Sequence, residues 1–177
     1  MTLRATTVLG IVRNGRAAMA SDGQVSLDDT VIKSTARKIR RLADGRVLAG
    51  LSGSGADAMA MVEKLEEKLE AFRGNLSRAA VELSREWRSD KSLRDMNAYI
   101  AVVDRQRALL IGGAGDVLES SDGIIATGSG HAYALAAARA LDAHTRMTPA
   151  RIARESLVIA SEICIYTGGT IQVEELR

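Results

Sequence analysis

A chain of 177 residues with 46% hydrophobic and 26% charged residues has the length and apolar content of one globular domain, which excludes a disordered tail or a fibrous repeat. Twenty-four basic residues against 22 acidic ones leave a formal charge of +2, and with aromatics at 3% nothing in the balance calls for a nucleic-acid partner. Cys164 is the sole cysteine, so no intramolecular disulfide can form, and it has no zinc-ligand spacing with His131 or His144. No apolar run approaches the ~20 residues of a membrane helix and residues 1–5 carry no apolar core for a secretion signal, so a cytoplasmic protein is expected.

From Thr7 to Val12 the residues are mostly β-branched or apolar, and Asn14-Gly15 offers the positive φ angles of a tight hairpin ahead of Ala17 to Ala20. The chain is therefore expected to open on a β-hairpin, ended by Asp22-Gly23. Short strands are expected over 31–34 and 38–42, and Asp44-Gly45 turns the chain into another over 47–51. Most of the basic residues here, Lys33, Arg37, Lys38, Arg40 and Arg41, are expected in solvent.

After the glycine-rich run from Gly50 to Gly55, Met61, Leu65, Leu69 and Phe72 recur at helical intervals. Gly74 stops that helix, and a second starts near Ser77 with Leu76, Ala80, Leu83 and Trp87 on one face. Strands return over 98–103, 108–112 and 124–127, and Gly128-Ser129-Gly130 turns the chain into an alanine-rich helix from about Ala132. Thr148 as N-cap and Pro149 at the first helical position open a last helix, which runs past Ile152, Ile159 and Ile163 and stops before Gly168-Gly169. Strands, two helices, strands, two helices is not the alternation of a parallel doubly wound sheet. The order fits one α+β domain with antiparallel sheets stacked between helical layers.

Four segments together resemble the HslV (ClpQ) family of proteasome-like protease subunits: Ala5-Thr6-Thr7, Ser21-Asp22-Gly23-Gln24, Arg37-Lys38-Ile39-Arg40-Arg41 and Ile163-Cys164-Ile165-Tyr166-Thr167. The resemblance covers nearly the whole chain. It implies an N-terminal nucleophile hydrolase fold, a four-layer αββα sandwich with two antiparallel sheets, and an ATP-dependent threonine endopeptidase that degrades unfolded proteins. It also implies a propeptide over residues 1–5, a peptidase domain over residues 6–177, two stacked hexameric rings, and the HslU (ClpY) ATPase as partner.

The chemistry explains why such residues are needed. A threonine hydroxyl is a poor nucleophile at neutral pH and needs a base to take its proton. An α-amine, with an unperturbed pKa near ~7.7–8, can be that base, whereas an internal amide cannot. Thr6 must therefore become the first residue. The resemblance sets Lys38 beside Thr6 to favour the neutral amine and stabilise developing negative charge, with Asp22 holding Lys38 in place. It also sets Ser129 near the amine and the Gly50 N–H as oxyanion donor, and implies a monovalent cation, sodium, on the carbonyls of Ser161, Cys164 and Thr167.

Each residue has an ordinary role to weigh against this one. Thr6 and Thr7 suit a plain β-strand, Lys38 a solvated strand, and Gly50 and Ser129 suit turns that feed helices. Ser121-Asp122-Gly123 repeats the Ser21 tripeptide where no chemistry is expected, and Cys164 suits a helix face as a small buried apolar residue. Two rival functions compete: a noncatalytic ring subunit of the same fold, and a nucleotide-binding protein using Gly53-Ser54-Gly55 or Gly128-Ser129-Gly130. Neither glycine run completes a P-loop or a G-x-G-x-x-G motif.

Overall fold

The structure is a computed structural model that describes residues 3–89 and 97–176. In chain order it contains β1 (Leu3–Ala5), β2 (Thr7–Arg13), β3 (Arg16–Asp22), β4 (Val25–Leu27), β5 (Thr30–Lys33), β6 (Ile39–Leu42), β7 (Val47–Gly53), α1 (Gly55–Ala71) and α2 (Leu76–Ser89). There follow β8 (Ala98–Val103), β9 (Ala108–Gly112), β10 (Val117–Glu119), β11 (Ile124–Gly128), α3 (His131–His144), α4 (Pro149–Ile163) and β12 (Ile171–Leu176).

Two antiparallel sheets carry the architecture, one of five strands in the order β10-β9-β8-β7-β6 and one of four in the order β11-β2-β3-β12. Successive side chains on a strand point to opposite faces, and here both faces of each main sheet are covered. Ala18 and Ala20 on β3 join Leu9 and Ile11 of β2 in packing against Ile152, Ala153 and Leu157 of α4. Their neighbours Ala17 and Met19 point the other way, into an inter-sheet core with Val8, Leu48, Ala101 and Val103. On the far side of the five-stranded sheet, Val47, Ala49, Ile100 and Val102 pack against Met61, Leu65 and Leu69 of α1 and Leu83 and Trp87 of α2. Three apolar layers thus hold four structural layers in the order helix, sheet, sheet, helix.

The expected hairpin is present, with Asn14 at φ 52° and Gly15 at φ 71° between β2 and β3. The expected caps of α4 hold too, with Thr148 accepting from the Arg151 N–H and Pro149 at the first turn. The strand expected over 47–51 runs on to Gly53, with Gly50 in its middle paired with Ile39 and Ala101, and α1 starts at Gly55 behind a Ser54 N-cap. Cys164 is the C-cap of α4 and not a residue of its face. β12 was not foreseen because Glu174 and Glu175 are poor strand formers. At the sheet edge their charges stay near solvent and pair with Arg41 and Arg16, while the backbone adds to β3.

A small third sheet, β1-β4-β5, lies beside the start of β2. It brings the residues before Thr6 next to Val25, with Ala5 opposite that residue.

Candidate active site

The C-terminal end of β3 places Asp22 wholly out of solvent, where four donors converge on its carboxylate. Oδ1 accepts the Thr7 N–H at 2.7 Å and the Lys38 ammonium at 2.9 Å, and Oδ2 accepts the Gln24 N–H at 2.9 Å and the Gly168 N–H at 3.0 Å. Desolvation of a carboxylate is tolerable only with such partners. Lys38, just ahead of β6, is 5% exposed and donates also to the Gln24 carbonyl at 2.6 Å. Burial pulls its pKa below the ordinary lysine value, while the charge and hydrogen bond of Asp22 pull it back up. The ordinary alternative, a solvated strand lysine, does not hold: Lys38 is one half of a buried ion pair with Asp22, the partner that the resemblance implies.

Thr6 occupies the junction between β1 and β2 and is 3% exposed. Its φ of 103° makes it the one β-branched residue with positive φ among the described residues, a conformation that threonine rarely adopts. Its carbonyl accepts the Ser129 N–H at 2.9 Å, and a Cβ on Gly128 would lie 1.9 Å from the same oxygen. Only glycine permits that approach, and Gly128 has φ 94°. The next residue is fixed differently: the Thr7 hydroxyl lies 2.7 Å from the Thr167 hydroxyl and accepts the Gly130 N–H at 2.9 Å. Thr7 is thereby tied to the segments flanking α3 and α4.

Gly50 meets the same region from the other sheet. A Cβ there would lie 2.3 Å from Val8 Cγ1 and 2.8 Å from Met19 Sδ, so the strand needs glycine for inter-sheet packing rather than for a turn. Thr6, Asp22, Lys38 and Ser129 are brought together around the start of β2, with the Ser129 side chain exposed at the rim, whereas the Gly50 N–H expected as an oxyanion donor points along the sheet to its pair Ala101 on β8. The repeated tripeptide behaves as the turn it was read to be: Asp122 is exposed, paired with Arg139 at 2.6 Å, and Gly123 has φ 75°. Desolvation raises the Asp122 pKa, but the hydrogen bonds of Ser120 and Arg139 outweigh it and hold it below the ordinary value.

Sequence reasoning did not single out Gly128, Gly130, Gly168 or the Thr167 hydroxyl, although the Gly-Ser-Gly run was visible as a turn. It also named Gln24 only as part of a segment, whereas its backbone serves both Asp22 and Lys38. The two glycine turns weighed as phosphate sites are spent within the chain. The Ser129 and Gly130 amides bind Thr6 and Thr7, and Ser54 caps α1 by its own hydroxyl.

The candidate cation ligands lie where α4 ends. Ile165, the i+4 position of Ser161, falls beyond the last helical residue, so the Ser161 carbonyl is among the terminal ones without an intrahelical partner. Cys164 leaves the helix at ψ 114°, and its carbonyl closes a turn by accepting the Thr167 N–H at 2.9 Å. Neutral carbonyl oxygens at the negative end of a helix dipole suit a hard monovalent cation, so this donor set fits one. The same turn carries Thr167 and Gly168 into contact with Thr7 and Asp22.

The family profile described as proteasome subunit matches residues 2–176. The ATP-dependent protease subunit HslV of Chlorobium luteolum is 56% identical over 174 residues, covering 98% of this chain and 96% of the relative. Its namesake from Chlorobium phaeobacteroides is 55% identical with the same coverage. Among solved structures, the eukaryotic HslV of Trypanosoma brucei superposes with a TM-score of 0.89 at 40% identity, over 97% of this chain and 99% of that one. Thiobacillus denitrificans BPH in complex with epoxomicin shares the fold at 18% identity, with a TM-score of 0.72 over 97% and 98% of the two chains. Near full-length identity above one half, an αββα sandwich and a buried Lys-Asp pair beside a threonine agree: this chain belongs to the proteasome subunit family, as a protease subunit of the HslV type.

Proposed function

We propose that removal of residues 1–5 exposes Thr6 as an amino-terminal nucleophile and that the mature chain is a threonine endopeptidase. The observation that carries this reading is the shared oxygen of Asp22, which holds both the Lys38 ammonium and the N–H of the residue directly after Thr6. A buried cation is thus fixed next to the point where the new amine would form. The positive φ of Thr6 supports the same point of cleavage, because φ is defined by the preceding carbonyl carbon and its strain vanishes once the Ala5–Thr6 bond is cut.

In the mature site the Thr6 Oγ attacks a peptide carbonyl carbon while its proton passes to the α-amine. Lys38 favours the neutral amine and stabilises the negative charge that develops. Collapse breaks the C–N bond, the amine's proton goes to the leaving nitrogen, and an ester to Thr6 remains. Water then adds to the ester with the amine again as base, which releases a carboxylic acid and restores the hydroxyl. Ser129, whose N–H already binds Thr6, holds the amine's surroundings. The carbonyls of Ser161, Cys164 and Thr167 would hold sodium, which supplies charge at the end of α4 and stiffens the turn that carries Thr167 and Gly168.

The relatives are named ATP-dependent protease subunits, which supports our reading of this chain as a ring-forming subunit with an ATPase partner; we infer two stacked hexameric rings, an HslU-type ATPase that delivers unfolded polypeptides, and a cytoplasmic location. No helix among the described residues is long and apolar enough to cross a membrane. A noncatalytic ring subunit of the same fold could keep the Lys38–Asp22 pair as a structural tie, but its chain would show no peptidase activity that depends on Thr6. Intact mass with N-terminal sequencing of the purified assembly tests the reading. A chain that starts at Thr6 and loses activity as Thr6→Ala is expected, and a fully active chain starting elsewhere overturns it.

A further inference from the structure

Between β3 and β4 the chain passes from the four-stranded sheet to the small third sheet through Gly23 and Gln24. Both ladders of β4 begin one residue later, with Val25 opposite Ala5 on one side and Lys33 on the other. The Gln24 carbonyl lies outside them and takes the Lys38 ammonium at 2.6 Å. A carbonyl outside a ladder has no strand neighbour to fix its direction, so its aim at Lys38 must be set by other contacts of the residue.

The side chain supplies such contacts. Gln24 is 8% exposed, and its Nε2 donates to Ser26 Oγ at 2.9 Å and to the Ile165 carbonyl at 3.0 Å. An amide nitrogen carries two protons, and both are used; because a carbonyl can only accept, the Ile165 contact also fixes which end of the amide is nitrogen. Ser26 is itself 2% exposed on β4, and Ile165 belongs to the turn that follows α4. That turn closes over the glutamine, since a Cβ on Gly168 would lie 2.8 Å from Gln24 Cβ and 3.1 Å from its Oε1. The Gly168 N–H ends on Asp22 Oδ2, the same oxygen that accepts the Gln24 N–H. Gln24 therefore meets both members of the Lys38–Asp22 pair with its backbone, while its side chain is anchored to β4 and to the turn. For packing alone, an apolar side chain would serve without the desolvation of an amide.

We propose that Gln24 is a positioning residue for Lys38: by tying itself to Ser26 and to the turn after α4, its side chain aims the Gln24 carbonyl at the ammonium and so sets where that charge sits beside Thr6. This rests on the peptidase reading above. Misplacement by about 1 Å in such a constellation costs on the order of 100-fold in rate. A glutamine that only ties the turn to β4 would show its effect in stability alone.

Gln24→Met keeps the length of the side chain without its donors, and Gln24→Asn keeps the amide on a stem too short to reach both acceptors. Each is assayed as assembled rings with the partner ATPase and ATP on a fluorogenic peptide, with kcat counted per chain that intact mass shows to start at Thr6. Positioning predicts a kcat about 10- to 100-fold down in both variants with little change in KM. It also predicts that the alkaline limb of the pH–rate profile moves to lower pH, because an ammonium that loses an acceptor gives up its proton more readily. Ser156→Ala measures a purely structural loss: it removes a buried hydrogen bond to the Ile152 carbonyl within α4, and should lower Tm with kcat and the pH profile unchanged. Should Gln24→Met fail to assemble, Gln24→Asn decides alone. Gln24 variants that lose Tm but keep the wild-type kcat and alkaline limb, as Ser156→Ala does, overturn the proposal and leave the peptidase reading intact. Peptide cleavage that survives Thr6→Ala overturns both.

Discussion

Lys38 Nζ lies 2.9 Å from Asp22 Oδ1, and the two side chains are 6% and 0% exposed. Asp22 is the hub of this pair, since three backbone N–H groups from three separate segments also end on it. Asp22→Asn turns one of its oxygens into an NH2 that faces an N–H or the ammonium, so the variant should lose about 3–5 kcal/mol in denaturant unfolding. Asp122→Asn changes the same tripeptide on the surface and should stay within about 0.5 kcal/mol of wild type. Equal losses for the two would mean that the convergence on Asp22 contributes no stability.

Thr6 and Thr7 separate in the same manner. The Thr6→Ala protein should assemble, keep the mass of the full chain and show no peptidase activity. Thr7→Ala loses the contacts to Thr167 and Gly130 and leaves a buried N–H without its acceptor, which should lower stability by about 1–3 kcal/mol while a measurable fraction of activity remains. Intact mass and peptide hydrolysis on the same preparations check both. The opposite pattern would move the nucleophile to Thr7.

The layer order was legible in the sequence because burial sets both the helical period and the short apolar runs, bounded by turn residues, of strands covered on both faces, and β2, β3, β7, β8, β9 and β11 are such runs. β12 was not, since its edge position rather than its composition makes it a strand. At the site, Thr6, Asp22 and Lys38 could be picked out from segments that resemble a family, but no local signal announced that Lys38 is buried. That depends on Gln24 and Asp22 folding over it from another strand. Gly50 falls inside the strand expected over 47–51, but why a glycine stands there is not legible in the sequence. Its reason is a Val8 side chain from the opposite sheet, which no sequence window contains.

Glu86 on α2 clasps Lys64 and Lys68 of α1, and the hydrogen bonds of these two lysines bring its pKa from 4.5 down to about 2. A carboxylate with a depressed folded pKa contributes stability that is present above the unfolded value and lost as pH falls through the folded one. Glu86→Gln should therefore have a lower Tm than wild type at pH 7. The gap should close as pH drops from 4.5 toward about 2. A gap that is constant with pH would assign the difference to packing of the helix pair instead of charge.

Lys38 allows the sharpest test, because removal of its charge should affect rate and stability in opposite directions. Asp22 keeps its three backbone donors when the ammonium is gone, so Lys38→Ala should remain folded and assembled. Its turnover should fall by the roughly 100- to 1000-fold typical of a lost electrostatic donor, and Lys38→Arg should not restore it, because a planar guanidinium cannot take the place of a compact ammonium between Asp22 and the Gln24 carbonyl. In the wild-type protein burial lowers the Lys38 pKa below 10.5, so alkaline pH discharges it in the folded state first. Activity should fall as pH rises through that lowered value. Between the folded value and 10.5 the unfolded chain binds the extra proton, so the contribution of Lys38 to stability rises over the same window. Peptide hydrolysis and thermal unfolding measured side by side from neutral to alkaline pH, with Lys38→Ala as reference, should show the rate falling while the stability difference shifts in favour of wild type. A rate that holds steady through this window, or Lys38→Ala rings that cleave at near wild-type speed, would remove Lys38 from the chemistry and leave it a structural partner of Asp22.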